Sequence, residues 1–496
     1  MTTDTTLSTS PTTAEELEQF LTAAQRAARP LAALRPAERA ALLDAVAVGL
    51  DAAADRLIPL AQQESNLAEG RLTGELKRTS FQLRLFGEVM RDGAFLDARI
   101  DHPDAKWPMG APRPDLRRVM EPIGPVVVFA ASNFPFAFSV AGGDTASALA
   151  AGNPVILKAH SGHPELSTLT ADVVRTALDQ AGAPEGTFAI IFGTEAGASA
   201  LKDPRVKAGA FTGSIPGGRA LFDMATSRPD PIPFFGELGS NNPVFVTPAA
   251  SVARSQLIAT EFIASFTMGA GQFCTKPGTL LVPQGSEIVE ALRNAELPAP
   301  TKLLNERIQN GYDEVLKELS AHPRVELLAQ GDNTLAKSPS PTLLLTTAAE
   351  LLADTKTLQS ECFGPTALVV EYTDEAQMLH VAESFEGQLT ATIHGEDDDD
   401  VTGLREILAR KAGRLLWNQW PTGVSVTYAQ QHGGPYPATT ASGSTSVGTA
   451  AIDRFLRPVA YQGFPEAKLP ESLQEANPLG IPRLVDGKRM ETCSSN

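Results

Sequence analysis

The chain has 496 residues, a formal net charge of -17 and a sequence pI of about 5.0. That length allows two to four domains with large cores, and the acidity excludes a general binder of nucleic acid or anionic membrane, which needs a basic face. Three cysteines, Cys274, Cys362 and Cys493, are too few for a disulfide framework, and no run approaches the ~20 apolar residues of a membrane span, so a cytoplasmic protein acting on small molecules is expected.

Residues 1–13 are Thr-rich and polar and read as a flexible leader without signal-peptide character. Leu, Ala and Val then recur at helical spacing over 15–28, 36–67 and 76–90, with Pro36 suited to a helix's first turn. Residues 101–114 are Pro-rich and poorly periodic, a connector. From residue 125 the pattern changes to short apolar runs at 125–131, 154–158, 188–192 and 208–212. Helical spacing separates them over 137–150, 164–181 and 195–201, and another helix starts near Pro216. Such alternation predicts βαβ units and a parallel sheet, whose ligands bind beyond the carboxyl ends of the strands. Asn133, Lys158 and the Gly213-Ser214 pair all stand at such ends. A second α/β region is expected from near Ser251, with strands at 279–282 and 367–370. The acidic run 396–400 reads as a solvated helix start. Residues 433–448 are rich in Gly, Pro, Thr and Ser, and the tail from Phe464 is either a wrapping arm or partly loose.

Several short stretches could carry chemistry. Cys274 lies in Gly271-Gln272-Phe273-Cys274-Thr275-Lys276-Pro277-Gly278, between a helical run and a strand-like run. A thiol there can face a cleft, although on this stretch alone a packing role is the plainer reading. Glu237 sits between an apolar approach and a Gly-rich turn, as a solvated loop carboxylate or as a general base whose pKa burial has raised. The Asn133 amide can donate to an oxyanion or cap a turn. The turn from Phe211 to Gly218, with Gly213, Ser214 and Gly218, offers backbone amides to a pyrophosphate, but it is not GxGxxG. His160 and His163 lack further ligands nearby, so no metal site is expected. Glu361-Cys362-Phe363-Gly364-Pro365 puts a carboxylate and a ring ahead of a tight turn.

In their order and spacing, Asn133-Phe134-Pro135, Glu237-Leu238-Gly239-Ser240, the Cys274 loop and Glu361-x-Phe363-Gly364-Pro365 resemble the aldehyde dehydrogenase superfamily over residues 15–465. The resemblance implies two parallel-sheet α/β domains, an atypical Rossmann cofactor domain and a catalytic domain, with a small oligomerisation element. The corresponding division is 1–246, a helical layer with the dinucleotide-binding domain; 247–440, the catalytic domain; and 441–496, a return to the cofactor domain plus a C-terminal arm. It also implies a small aldehyde as substrate and a homodimer or homotetramer. Cys274 would be the nucleophile, Asn133 with the Cys274 N–H the oxyanion site, and Glu237 the base that activates water. Lys158 would contact the adenosine ribose, Ser214 the pyrophosphate, and Glu361 with Phe363 the nicotinamide ribose.

Two positions depart from the family's pattern. Ser132 replaces a common Trp. Ser161 replaces the Glu that NAD-preferring members use to hold the ribose hydroxyls; a serine tolerates a 2′-phosphate, so NADP is favoured over NAD. The stretches 414–424, 432–439 and 445–458 resemble the branch containing 2,5-dioxovalerate dehydrogenases, with NADP-linked fatty aldehyde dehydrogenases as the alternative. CoA-acylating and non-enzymatic relatives are less favoured, because Glu237 and Cys274 are both present. A keto-acid substrate needs a cation at the end of its pocket, for which Lys276, Arg454 and Arg457 are candidates. A fatty aldehyde needs an apolar tunnel, for which Phe134, Phe136, Phe138 and Phe273 are candidates, at least two of them reading as core.

Overall fold

The computed structural model describes residues 9–331 and 338–490. The expected leader therefore falls mostly outside the described residues, as do the last six residues of the tail, Cys493 among them. Three sheets organise the chain. The first is five-stranded and wholly parallel, in the order Phe188–Ile191, Val155–Lys158, Val126–Phe129, Ala208–Thr212, Phe234–Glu237. Its central strand, Val126–Phe129, is buried at every position, which is why it reads as an unbroken apolar run. The second sheet has seven strands, in the order Glu326–Gln330, Thr342–Thr347, Thr366–Tyr372, Thr279–Pro283, Val244–Val246, Gln388–His394, Ala412–Trp417, with only the first edge antiparallel. It takes in Val244–Val246, ahead of the expected start near Ser251.

The third sheet was not expected from the sequence. Its order is Leu456–Gln462, Leu116–Pro122, Arg99–Asp101, Arg483–Val485, Lys488–Met490. It joins the ends of the Pro-rich connector to the tail through register pairs from Leu456↔Pro122 to Gln462↔Leu116. Leu473 and Ile481 are buried beneath it, so the described part of the tail is a wrapping arm.

The helical layer starts on a capping box, in which Thr13 and Glu16 satisfy each other's exposed N–H groups. The stretch expected as one helix over 36–67 is two, Pro36–Ala52 and Ala54–Ser65. The helix expected over 137–150 begins only at Gly143. Residues 134–141 fold instead as a turn, because the buried carboxylate of Glu75 accepts hydrogen bonds from the N–H groups of Phe136 (2.8 Å) and Ala137 (3.0 Å). The Ala131 N–H bonds the Phe138 carbonyl at 2.9 Å. Local apolar spacing lost to a long-range carboxylate.

One side chain ties the first sheet's last strand to the second sheet. The Gln388 Oε1 accepts from the N–H groups of Asn241 (2.8 Å) and Asn242 (2.9 Å) and from the Ser240 hydroxyl (3.0 Å). All four residues are buried. Gln388→Leu keeps the bulk and strands two buried N–H donors, at a cost of about 2–4 kcal/mol. We expect a lower urea midpoint for this variant; an unchanged midpoint would contradict the linkage.

Candidate active site

The thiol at residue 274 is placed by a backbone that few other sequences would adopt. The helix Ser255–Thr267 runs into the tight turn Met268–Gly271, where Gly269, Ala270 and Gly271 have φ of 59°, 56° and 68°. These are left-handed values that favour glycine. At Gly271 a Cβ would also lie 2.1 Å from the carbonyl oxygen of Gly364, so the Cys274 loop and the 361–365 loop touch backbone to backbone. The Asn242 amide then donates to the carbonyls of Cys274 (2.8 Å) and Lys276 (2.9 Å). The Gln272 Oε1 accepts the Leu304 N–H at 2.9 Å, and the Thr275 hydroxyl accepts the Gly423 N–H at 3.1 Å. The loop is held while its thiol stays partly exposed.

Three segments far apart in sequence meet at that thiol. Glu237 ends the strand Phe234–Glu237 and is only 2% exposed. Its Oε1 lies 2.8 Å from the His432 Nε2, and its Oε2 accepts from the Ser446 hydroxyl at 2.7 Å. The His432 Nε2 lies 3.6 Å from the Cys274 Sγ. The ligating atoms of Glu237, Cys274 and His432 all lie within 4.8 Å of one another. Asn133 is buried beside the loop, its amide donating to the Gln272 carbonyl at 3.1 Å, so one amide hydrogen remains for another acceptor. The Cys274 N–H takes no hydrogen bond among the described residues.

The electrostatics put the resting proton on sulfur. Desolvation pushes the Cys274 thiol well above its ordinary value, and the charge and hydrogen bond of Glu237 push it further, with Arg414 opposing. Burial alone would raise Glu237, as expected from its apolar approach. Instead its carboxyl is held below the ordinary range, because His432, Ser446 and the Cys274 thiol together outweigh desolvation. The expectation of a raised Glu237 is therefore corrected: the carboxylate is dry but well solvated by its neighbours.

Cys274 opens onto a cavity of about 210 Å³, also lined by Phe134, Phe138, Phe273, Thr275, Gly423 and Val424, with Arg71, Glu75 and Arg78 from the helix Glu69–Asp92. Of the four phenylalanines considered, only Phe136 is core and off the cavity. Lys276, expected to reach substrate, does not. Its buried ammonium donates to the carbonyls of Cys362 and Thr366, both at 2.7 Å, on the far side of the loop. There it faces Glu361, whose carboxyl burial lifts to about 7 while Lys276 pulls it down. Arg454 is likewise taken, paired with Asp144 at 2.8 Å, and Arg457 lies on the exposed strand Leu456–Gln462. The Cys362 thiol is buried and pushed up to about 11 by desolvation, so it is unreactive.

Of the residues proposed for a dinucleotide, Lys158, Ser161, Gly213, Ser214 and Gly218 end or follow strands of the first sheet, and Glu361 and Phe363 lie in a loop leading into the second. Lys158 ends Val155–Lys158, and its ammonium has no hydrogen bond or ion pair among the described residues. Desolvation, then the charge of Arg307, holds it below its ordinary value. His160 is held down to about 3 by desolvation and by His163, Lys158 and Arg307. Ser161 is exposed. Ser214 caps the helix Ile215–Thr226, its hydroxyl accepting the Gly217 N–H at 3.4 Å and its carbonyl the Gly218 N–H at 2.9 Å, while Pro216 has no N–H, which leaves the Ile215 N–H and the positive end of the helix for an anion. At Gly218 a Cβ would meet Leu238 at 2.0 Å, and the Gly213 N–H bonds the Glu237 carbonyl at 3.0 Å, so the phosphate turn and the base share one scaffold. Phe363 is half-buried beside Glu361. These groups fit an anionic dinucleotide: an unpaired lysine, the positive end of a helix and a turn closed to side chains.

The sequence assigned no role to His432 or Ser446, which lie in the stretches 432–439 and 445–458 noted for their resemblance, nor to Arg71, Glu75 and Arg78. The first two lie in a coil without periodicity, and the charges at 71, 75 and 78 look like a solvated helix face.

A family model described as the aldehyde dehydrogenase family matches residues 1–457. The chain is 44% identical over 487 residues to the alpha-ketoglutaric semialdehyde dehydrogenase of Acinetobacter baylyi, covering 96% of this chain and 92% of that one. It is 46% identical over 471 residues to alpha-ketoglutaric semialdehyde dehydrogenase 2 of Azospirillum brasilense, covering 93% and 88%. Its fold is similar to that of a methylmalonate-semialdehyde dehydrogenase from Oceanimonas doudoroffii, with a TM-score of 0.78 at 19% identity over 92% of each chain. A thiol, a carboxylate and an amide converging above two parallel sheets are thus matched along nearly the whole chain, which belongs to the aldehyde dehydrogenase family, oxidoreductases that act on aldehydes with NAD or NADP.

Proposed function

We propose that this enzyme oxidises alpha-ketoglutaric semialdehyde (2,5-dioxovalerate) to 2-oxoglutarate, with NADP as the preferred cofactor. The observation that carries the reading is the cavity: small, with Cys274 in its wall and two guanidinium groups beside its phenylalanines. A long-chain aldehyde needs an extended apolar tunnel, and burying its tail against Arg71, Glu75 and Arg78 would cost the desolvation of those charges. The two relatives at 44 and 46% identity carry the name of this substrate.

In this reading Cys274 loses its proton toward Glu237, with His432 shared between them at 3.6 and 2.8 Å. The thiolate attacks the aldehyde carbon, and covalent capture replaces one hard step by two easier ones. The Asn133 amide and the Cys274 N–H meet the new oxyanion. The bound nicotinamide supplies the hydride acceptor. Once Glu237 has passed the thiol's proton on to solvent, it takes a proton from the water that hydrolyses the thioester, and Cys274 leaves as the thiolate and is reprotonated. Its contact with the thiol supports hydrolysis over transfer to CoA. Lys158, Ser214, Glu361 and Phe363 would hold the cofactor.

Lys158 and Arg307 bring positive charge together near Ser161, and among the described residues no carboxylate is among the charges acting on Lys158, which suits a 2′-phosphate. A homodimer or homotetramer is also proposed, since the edge strand Ala412–Trp417 exposes Leu415 and Trp417. Among the described residues no helix is long and apolar enough to cross a membrane, and we take the enzyme to be cytoplasmic.

Cys274→Ser should abolish NADP reduction with 2,5-dioxovalerate. Glu237→Gln removes the base for both steps, so the NADPH burst should slow and steady turnover should fall by about 10²-fold or more. Full turnover in either variant contradicts the assignment. The kcat/KM for NADP should exceed that for NAD by about 10-fold or more, equivalent to ~1.4 kcal/mol, and Ser161→Glu should reverse the order. A wild-type preference for NAD would defeat the cofactor proposal.

A further inference from the structure

The helix Glu69–Asp92 carries Arg71, Glu75 and Arg78 at i, i+4 and i+7, which places them on one face. All three line the cavity that Cys274 opens onto. Buried guanidinium N–H groups normally have partners. Here the Nη1 of Arg71 and the Nη1 of Arg78 are both buried and unpartnered. Glu75 does not use them. Its Oε1 is occupied by the N–H groups of Phe136 and Ala137, and its Oε2 makes no hydrogen bond. Two cations against one carboxylate leave this wall one positive charge in excess.

Both guanidinium groups are held in place before any ligand arrives. Arg71 donates from Nη2 to the Asn133 carbonyl at 2.6 Å and lies 4.9 Å from the Phe134 ring centre and 4.7 Å from that of Phe273. Arg78 lies 5.3 Å from the Phe138 ring centre. Stacking on rings fixes a guanidinium's plane and leaves its in-plane N–H groups free.

Resting on the substrate reading above, we propose that Arg71 and Arg78 form the receptor for the carboxylate end of the substrate, with Glu75 as the strut between them. A planar fork of N–H donors matches a carboxylate in a way that a point charge does not. In an extended five-carbon 2-oxo acid the aldehyde carbon and the carboxylate carbon are about 5 Å apart, so both ends fit one short cavity. Because Arg71 also holds the Asn133 backbone, filling this receptor bears directly on the oxyanion site. Aldehydes without an anionic end leave the two Nη1 groups as unpaired as they are in the empty cavity, so selectivity comes from the pairing that the carboxylate alone supplies.

The test compares 2,5-dioxovalerate with pentanal, a neutral aldehyde of equal length, in the wild type, Arg78→Met, Arg71→Met and Arg78→Lys. Each Met variant should lower the ratio of kcat/KM for the anionic over the neutral aldehyde by about 100-fold or more. For Arg78→Met the change should lie chiefly in KM, and Arg78→Lys should recover part of it. Inhibition of pentanal oxidation by 2-oxoglutarate should weaken in parallel. A ratio within threefold of wild type in both Met variants overturns the receptor, as does an equal loss on both aldehydes. If the wild type does not oxidise 2,5-dioxovalerate, the substrate reading fails on its own. The same ratio taken with succinic semialdehyde then decides the arginines.

Discussion

A proton shared between a partly exposed thiol and two buried groups governs this site. The Cys274 thiol, the Glu237 carboxylate and the His432 ring come from a loop, a strand end and a coil 158 residues beyond the thiol, yet His432 lies 3.6 Å from the thiol and 2.8 Å from the carboxylate, and all three atoms lie within 4.8 Å of one another. A thiol and a carboxylate cannot both be ionised in a dry space at low cost. The structure resolves this by giving the charge to Glu237, which has partners in His432 and Ser446, and leaving the proton on sulfur. The enzyme thus rests as a weak nucleophile beside a ready base, and the thiolate appears only as its proton is taken.

Such an arrangement tolerates little slack, and much of the nearby architecture removes it. The Gln388 carbonyl binds the turn after Glu237 to the second sheet, and Asn242 of that turn holds the carbonyls of Cys274 and Lys276. Gly271 lets the Cys274 loop press against Gly364, where any Cβ would collide. Base, nucleophile and the loop bearing Glu361 and Phe363 therefore move as one body. Lys276 belongs to that support: its ammonium is fixed on the Cys362 and Thr366 carbonyls, away from the substrate cavity.

The parallel strands were legible because burial on both faces makes them continuous apolar runs, as at Val126–Phe129. Motifs built on glycine, proline and a single functional residue were legible too, since a special backbone demands special residues. The third sheet was not, because strands such as Lys488–Met490 are exposed and owe their pairing to partners hundreds of residues away. Residues 137–142 read as helix since local spacing does not report the distant carboxylate of Glu75. His432 and Ser446 lay in stretches noted for their resemblance, but an aperiodic coil gave no sign that they would meet Glu237. Arg71 and Arg78 escaped because a charged pair two helical turns apart looks the same in sequence whether it faces water or a cavity.

The direct measurement is the pH dependence of Cys274 alkylation by iodoacetamide in the cofactor-free enzyme, followed at that residue by mass spectrometry. Only the thiolate reacts, so the rate reports the fraction of sulfur that has lost its proton. A resting proton on sulfur predicts slow alkylation at neutral pH and a rate still climbing above the ordinary cysteine value of ~8.5. A rate already at its plateau near pH 7 would show a preformed thiolate and contradict the central claim.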